Sequence, residues 1–259
     1  MRKERKRLDL VLVERGLAPS RAKAQALILA GQVRVDGICV DKPGASISPS
    51  AHIEVLSPPR YVSRGGEKLE AALKAFGIDP TGKKCLDIGA STGGFTDCLL
   101  QHGAAKVYAV DVGRGQLHWK LRQDPRVVVK EGLNARYLRF DDIGEEVDLV
   151  TIDVSFISLR LILPRLLGLV RPEGAVIPLV KPQFEAGREK VKKGVVRDGQ
   201  IHREVLADLA KFVEEQLQWS VVDVIPSPLL GPKGNREFFM HIVPQAGLGK
   251  GIAWEKLGL

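Results

Sequence analysis

Cys85-Leu86-Asp87-Ile88-Gly89-Ala90-Ser91-Thr92-Gly93-Gly94-Phe95-Thr96-Asp97 decides how this chain is read. A short apolar run ends in an acid, passes into a loop of small residues and opens a helix. Glycines at 89, 93 and 94 let backbone approach a ligand where any Cβ would clash. The spacing G-x-x-x-G-G is neither the G-x-G-x-x-G of a dinucleotide site nor the Gly-rich Lys-Ser/Thr loop of a nucleotide triphosphatase. A nucleoside-bearing ligand fits such a loop and a pyrophosphate is not required. A turn that merely packs a helix on a strand would use the same glycines, so the surrounding chain has to decide.

Downstream, strands are predicted at 84–88, 106–110, 127–129, 147–152 and 175–180, with helical stretches near 94–102, 116–122 and 158–170. This alternation implies an α/β fold with a parallel sheet covered on both faces. Ligands then sit beyond the carboxyl ends of the strands. Asp87, Asp111, Glu131, Asp153 and Lys181 all fall at or just after such ends. Asp111, about 20 residues past the loop, can accept both hydroxyl protons of a ribose, or act as a turn acid. Asn134 suits an adenine edge or a turn. After a helix at 202–215 come strands at 220–225 and 237–243, joined by Pro226-Ser227-Pro228 and Gly231-Pro232-Lys233-Gly234-Asn235. So short a connection implies an antiparallel last strand. Glu237 then starts at the edge where Asp153 and Lys181 end. Upstream, Glu67–Phe76 carries apolar residues at 69, 72, 73 and 76, a helical face, with Lys68 off it.

The first 60 residues differ in character. They hold 11 Lys/Arg against 6 Asp/Glu, whereas residues 61–259 hold 28 against 25, so most of the formal +8 sits on the shorter part. Such asymmetry points to a polyanion partner. Short helices are expected at 7–15 and 21–30, the second capped by Ser20 and ended by Gly31. Asp36-Gly37 between β-prone runs predicts a two-residue hairpin, and 52–55 a last strand. Ser57-Pro58-Pro59-Arg60-Tyr61-Val62-Ser63-Arg64 reads as an extended linker, with the boundary near residue 60.

Cys39, Cys85 and Cys98 show no pairing or ligand spacing and are read as small core residues in a reducing compartment. The five histidines are scattered, so no metal site is expected. The longest apolar tract, 159–170, is broken by Arg160, Pro164 and Arg165, and no membrane span is expected. A cytoplasmic location follows as the default.

The N-terminal part resembles the S4 RNA-binding domain through Arg7-Leu8-Asp9, Ser20-Arg21-Ala22-Lys23-Ala24, the Ile28-x-x-Gly31-x-Val33-x-Val35-x-Gly37 run and Lys42-Pro43. That resemblance implies RNA contacts by Arg5, Arg7, Arg21, Lys23, Arg34 and Lys42, with Arg64 and Arg136 added from the second domain. The whole chain resembles the TlyA (haemolysin A) family of ribosomal-RNA 2′-O-methyltransferases, which joins an S4 domain to an FtsJ-like domain. The likeness rests on Val62–Leu69, Cys85–Thr96, Asp111–Leu117, Asp153–Ser158, Val180–Glu185 and Gly231–Glu237.

The resemblance implies a small N-terminal α+β S4 domain (1–59), a linker (60–64), a Rossmann-like methyltransferase domain (65–245) and a tail (246–259). The methyltransferase sheet is expected to have seven mostly parallel strands with the last antiparallel. It also implies a catalytic tetrad of Lys68, Asp153, Lys181 and Glu237. S-adenosylmethionine would be held by Asp87, Gly89, Ala90, Ser91, Thr92, Gly93, Gly94, Asp111, Val112, Asn134 and Asp153. The implied acceptors are cytidine 2′-hydroxyls in ribosomal RNA within ribosomal subunits.

A lysine takes a hydroxyl proton only as the neutral amine, since a free one is charged at neutral pH. Nearby positive charge favours that form and carboxylates oppose it. Lys181 is the expected proton acceptor, with Asp153 holding it and Lys68 and Glu237 orienting the ribose. Three other readings compete: an inactive RNA-binding protein, a membrane-active haemolysin, and a nicotinamide-linked enzyme. The intact tetrad opposes the first. The lack of a spanning or basic amphipathic segment opposes the second, and the glycine spacing opposes the third.

Overall fold

The computed structural model describes residues 5–56 and 59–259. The chain divides into two compact units between Pro59 and Arg60. Ser57 and Pro58, the start of the expected linker, lie outside the described residues.

The first unit runs β1 (Lys6–Arg7), α1 (Leu8–Glu14), α2 (Arg21–Leu29), β2 (Val33–Val35), β3 (Ile38–Cys39), β4 (Ser46–Ile47) and β5 (Ile53–Val55). The Ser20 hydroxyl accepts the Lys23 amide at 3.2 Å and so caps α2. Asp36 and Gly37 both take the left-handed backbone, φ 50° and 81°, as a two-residue hairpin requires. β2 pairs antiparallel with β3 and β5, burying Val33 and Val35 and exposing Arg34. Leu8, Leu12, Ala24, Ile28 and Ile53 complete a small core. Asp9 is buried, yet its carboxylate accepts hydrogen bonds from Arg7, Arg21 and Gln25 at 3.0 Å each. These donors, Arg7 foremost, outweigh burial and hold it well below the usual carboxylate range. Cys39, expected in the core, is exposed. Its strand is the edge of a three-stranded sheet, and both of its residues face solvent.

The second unit is built on a seven-stranded sheet. Its strands are β6 (Lys84–Ile88), β7 (Lys106–Asp111), β8 (Val127–Glu131), β9 (Val147–Ile152), β10 (Val170–Val180), β11 (Ser220–Pro226) and β12 (Phe238–Val243), in spatial order β11-β12-β10-β9-β6-β7-β8. The β6–β7, β7–β8, β6–β9 and β9–β10 pairs are parallel. β12, the last strand, runs antiparallel to both neighbours, as expected. Successive strand residues point to opposite faces. Leu86, Tyr108 and Val150 enter the core under α8 (Gly199–Leu217), while Cys85, Val107 and Leu149 enter the core under α3 (Gly65–Phe76) and α4 (Gly94–Gln101). Three one-turn helices lie in the connections: α5 (Trp119–Arg122), α6 (Phe140–Ile143) and α7 (Pro182–Glu185). Burial pushes the Cys85 and Cys98 thiols up to about 12, so both behave as core residues.

The helix expected over 158–170 is instead two 3-10 turns, Leu159–Leu161 and Leu163–Leu166. Pro164 lacks an amide hydrogen and its ring blocks a continuing helix. Gly168, at φ 72°, turns the chain into β10, which starts at Val170. The apolar spacing still reports burial: Ile162, Leu163, Leu166 and Leu169 are in the core. The C-terminal segment packs back onto this unit. Leu257 is buried, and Arg236 donates to the carbonyls of Leu257 and Gly258 at 2.9 and 3.1 Å.

Candidate active site

The loop after β6 is shaped by the strands beside it. Gly89 and Ala90 donate to the Val110 carbonyl at 2.8 and 3.1 Å, and Asp153 donates to the Ile88 carbonyl at 2.8 Å. A Cβ on Gly89 would lie 2.3 Å from the Asp153 carbonyl oxygen, so only glycine lets the two chains pass. A Cβ on Gly94 would lie 2.2 Å from Ser63 Oγ. The starts of α3 and α4 therefore touch, and this carries Lys68 to the loop.

The Asp111 carboxylate accepts the Ser91 amide on Oδ2 at 2.8 Å and the Gly113 amide on Oδ1 at 2.7 Å. Each oxygen keeps lone-pair capacity for a further donor. A cavity of about 570 Å³ opens beside it, lined by Gly89, Ser91, Asp111, Val112, Asn134 and Asp153 with apolar walls from Leu133 and Ile157. Acceptor oxygens beside an apolar slot fit an adenosine, the ribose on Asp111 and the base between aliphatic side chains. The Asn134 side-chain oxygen caps the turn at 135–137 by accepting the Arg136 amide at 3.0 Å, so its turn role is realised at the cavity wall.

A second cavity of about 330 Å³ shares Gly89, Ser91, Asp153 and Ser155 with the first and adds Lys68, Lys181 and Glu237. Lys68 Nζ donates to Glu237 Oε2 at 2.6 Å, and Lys181 Nζ lies 2.6 Å from Asp153 Oδ1 and 2.9 Å from Ser155 Oγ. The Val180–Phe238 pairing sets Lys181 and Glu237 side by side at one sheet edge. The Glu237 side chain is fully buried and its Oε1 has no hydrogen-bond partner among the described residues. An unpartnered buried acceptor is costly, and a hydroxyl entering this cavity is the kind of donor that would satisfy it.

Ser155 joins the site only through the fold, by its bond to Lys181. A serine in a loop carries no signal of its own. Phe156 is 91% exposed with φ 64°, a conformation a bulky side chain rarely takes. Its ring lies 4.9 Å from that of Phe184, and Phe156 itself lines the larger cavity.

Of the other expected cofactor contacts, Ala90, Thr92 and Gly94 line the smaller cavity. Asp87 and Gly93 line neither. Gly93 packs on α5, where a Cβ would lie 2.2 Å from Leu121 Cδ1. Asp87 is buried beneath the loop and accepts the Thr96 and Thr151 hydroxyls at 2.7 and 3.1 Å.

Burial pushes the Asp87 carboxyl up to about 7, against those hydroxyl donors. The unfolded chain ionises it near 3.8, so holding the anion costs stability increasingly between that pH and about 7, and not below. Relative to Asp87→Asn, wild-type stability in urea is expected to fall by roughly 2–3 kcal/mol between pH 5 and pH 8. A pH-independent difference between the two proteins would contradict this.

Among the residues expected to meet RNA, Arg5, Lys23, Arg34 and Lys42 are exposed. None of these four has a side-chain partner among the described residues. Arg7 and Arg21 are tied to Asp9 but half exposed. Arg64 is exposed beside the smaller cavity, and Arg136 is exposed next to Tyr137. Among the described residues no group of three or more His, Cys, Asp or Glu is placed to hold a metal ion. No described helix is long and apolar enough to cross a membrane.

Residues 6–53 match the S4 domain and residues 61–243 match the FtsJ-like methyltransferase family. The chain is 50% identical over 244 residues to the Mycobacterium tuberculosis 16S/23S rRNA (cytidine-2′-O)-methyltransferase TlyA, covering 93% of this chain and 91% of that one. The chain belongs to the TlyA family. Hemolysin A of Brachyspira hyodysenteriae is 45% identical over 92% of this chain and 99% of its own. A solved structure of a Streptococcus thermophilus protein bearing the hemolysin name superposes with a TM-score of 0.72 at 43% identity, over 96% of this chain and 93% of that one. The two-domain TlyA organisation, the methyltransferase fold and the reversed last strand thus agree in one molecule.

Proposed function

We propose that this protein transfers a methyl group from S-adenosylmethionine to the ribose 2′-hydroxyl of a cytidine in ribosomal RNA, acting in the cytoplasm on ribosomal subunits. The carrying observation is the joining of two cavities. One presents the Asp111 carboxylate in a nucleoside-sized slot, the other presents two lysine–carboxylate pairs, and they share Gly89, Ser91, Asp153 and Ser155. The cytidine-2′-O name of the 50% identical relative supports the acceptor.

Asp111 would accept the ribose hydroxyls of the cofactor, and Gly89 and Ser91 would let its amino-acid end approach the backbone. When bound, S-adenosylmethionine supplies a methyl group already activated by its sulfonium charge. The protein's task is then positioning and proton removal. Lys181, once its ammonium has released a proton to solvent, takes the 2′-hydroxyl proton on the neutral Nζ as the methyl group moves to the hydroxyl oxygen. Asp153 and Ser155 fix that amine, and Asp153 lines both cavities, so it sets the amine between donor and acceptor. Lys68 donates to the acceptor ribose, and Glu237 aims Lys68 with one oxygen and accepts from the ribose with the other. Exposed Phe156 offers a π-face on which an unstacked base can lie.

The test incubates the protein with methyl-labelled S-adenosylmethionine and separately with small subunits, large subunits and naked ribosomal RNA. Label is expected in RNA from at least one subunit. Cofactor binding without label in any RNA would overturn the proposal. Phe156→Ala is expected to raise KM for RNA about 10-fold, from the ~1–3 kcal/mol of one base stack, with cofactor affinity unchanged. An unchanged KM would remove Phe156 from the acceptor site.

A further inference from the structure

The segment before α8 carries a group of cations that the tetrad does not use. Lys192 and Val195 exchange backbone hydrogen bonds at 3.1 and 3.0 Å around Lys193 and Gly194, whose φ values are 53° and 79°. This two-residue hairpin places Lys193 at its tip. Lys233, from the turn before β12, is also left-handed at φ 58°, and a Cβ on Gly194 would lie 3.3 Å from its Nζ. Two lysines in a backbone region that costs each about 1–2 kcal/mol meet at one tip. Lys192, Lys193 and Arg197 line a groove of about 490 Å³ together with Lys190 and Asp198. Lys190 is committed to Glu204 at 2.7 Å. Lys192, Lys193, Arg197 and Lys233 are exposed and have no carboxylate partner among the described residues. Four unneutralised cations on one projection need a reason beyond solubility.

The hairpin is fastened to the tetrad from beneath. Asn235 is 3% exposed. Its Nδ2 donates to the carbonyls of Gly194 at 3.0 Å and Pro232 at 3.1 Å, and its Oδ1 accepts the Val196 amide at 3.1 Å. Buried His202 holds the Val196 carbonyl at 3.1 Å. The Gly231 amide donates to the Asn235 carbonyl at 2.9 Å, closing a turn that packs on Glu237: a Cβ on Gly231 would lie 2.0 Å from Glu237 Oε1. One buried amide side chain thus joins the cationic tip to the turn that seats the Glu237 carboxylate.

We propose that Lys192, Lys193, Arg197 and Lys233 grip the phosphate backbone of the RNA strand flanking the acceptor nucleotide, and that Asn235 is the positioning residue joining this grip to Glu237. The proposal rests on the reading of the adjoining cavity as the acceptor site. The cations suit phosphates because they are exposed and unpaired among the described residues, because Lys233 directly follows Pro232, which lines the smaller cavity, and because such contacts demand charge rather than base recognition. Among the described residues, the hydrogen bonds that tie the hairpin to the Gly231–Asn235 turn are those of the Asn235 side chain, so a hairpin seated on RNA steadies the turn against Glu237 through them.

The experiment uses the full chain carrying Lys192→Ala, Lys193→Ala and Lys233→Ala together, with isolated large and small subunits as probe. Affinity for subunits is followed against salt by filter binding, separately from methyl transfer. Affinity is expected to fall about 10- to 100-fold and the salt slope to shrink by about 2–3. KM should rise in step, kcat should stay near wild type and cofactor affinity should not change. The triple arginine replacement should restore binding. Asn235→Ala should instead lower kcat about 10-fold with a smaller change in KM. Unchanged affinity and salt slope in the triple alanine variant would overturn the grip, and unchanged kcat in Asn235→Ala would overturn the link. Failure of the underlying reading is distinct: the wild type would bind subunits and transfer no methyl group.

Discussion

Lys181→Ala is expected to lower methyl transfer by about 10²- to 10⁴-fold, the range for loss of a general base, while S-adenosylmethionine binds with near wild-type affinity. The separation follows from geometry. Lys181 lines the smaller cavity and not the one beside Asp111. Removing it leaves Asp153 without its 2.6 Å partner, but the loop, Asp111 and the apolar slot are untouched. Lys181→Arg makes the sharper test. It keeps the positive charge beside Asp153 but cannot give up its proton in a protein. If Lys181 takes the hydroxyl proton, the arginine variant stays as inactive as the alanine one. Substantial activity in Lys181→Arg would assign the position to charge and orientation alone. Near-wild-type turnover in Lys181→Ala would end the assignment altogether. Calorimetric titration of cofactor into each variant, beside steady-state kinetics, reads both quantities.

Gly89→Ala is expected to damage both cavities at once. The added Cβ meets the Asp153 carbonyl at 2.3 Å, and the backbone sits at φ 83°. Neither side can yield freely, because the Gly89 amide is bonded to Val110 and the Asp153 amide to Ile88. Relief requires the Asp153 segment to move, and with it the amine of Lys181. A displacement near 1 Å at a reacting group costs about 10²-fold in rate. Cofactor affinity should fall by at least ~10-fold, one lost contact of about 1.4 kcal/mol. Stability should fall by about 1–3 kcal/mol from overpacking. Thermal unfolding with and without cofactor, together with single-turnover rates, checks the set. A variant with wild-type cofactor affinity and rate would show that the crossing of these two chains does not position the site.

Particular elements show what could be read in advance. β6, β7 and β9 are legible as short apolar runs because both faces of each are buried, and an acid stands at or beside the end of each: Asp87, Asp111 and Asp153. The reversed β12 could be deduced from its short, Pro- and Gly-rich connection, and that placed Glu237 at the edge with Lys181. The stretch 158–170 misled because helices and 3-10 turns bury apolar residues at similar spacings, and only Pro164 and Gly168 spoke against a helix. Lys68 was a lysine off an apolar face. Its pairing with Glu237, 169 residues away, was implied by family likeness and not by spacing. Ser155 and Asn235 were illegible for a general reason. A polar residue in a loop acquires its role from partners that the fold supplies, and short polar side chains are common in turns for local reasons alone.

The most direct test of the central claim asks where the methyl group goes. RNA labelled by the wild-type protein is hydrolysed in alkali, which cleaves only next to a free 2′-hydroxyl. The label is expected in an alkali-stable dinucleotide with cytidine on its 5′ side, and to be absent when Lys181→Ala replaces the wild type. Label recovered in mononucleotides would place the methyl on a base and contradict the account.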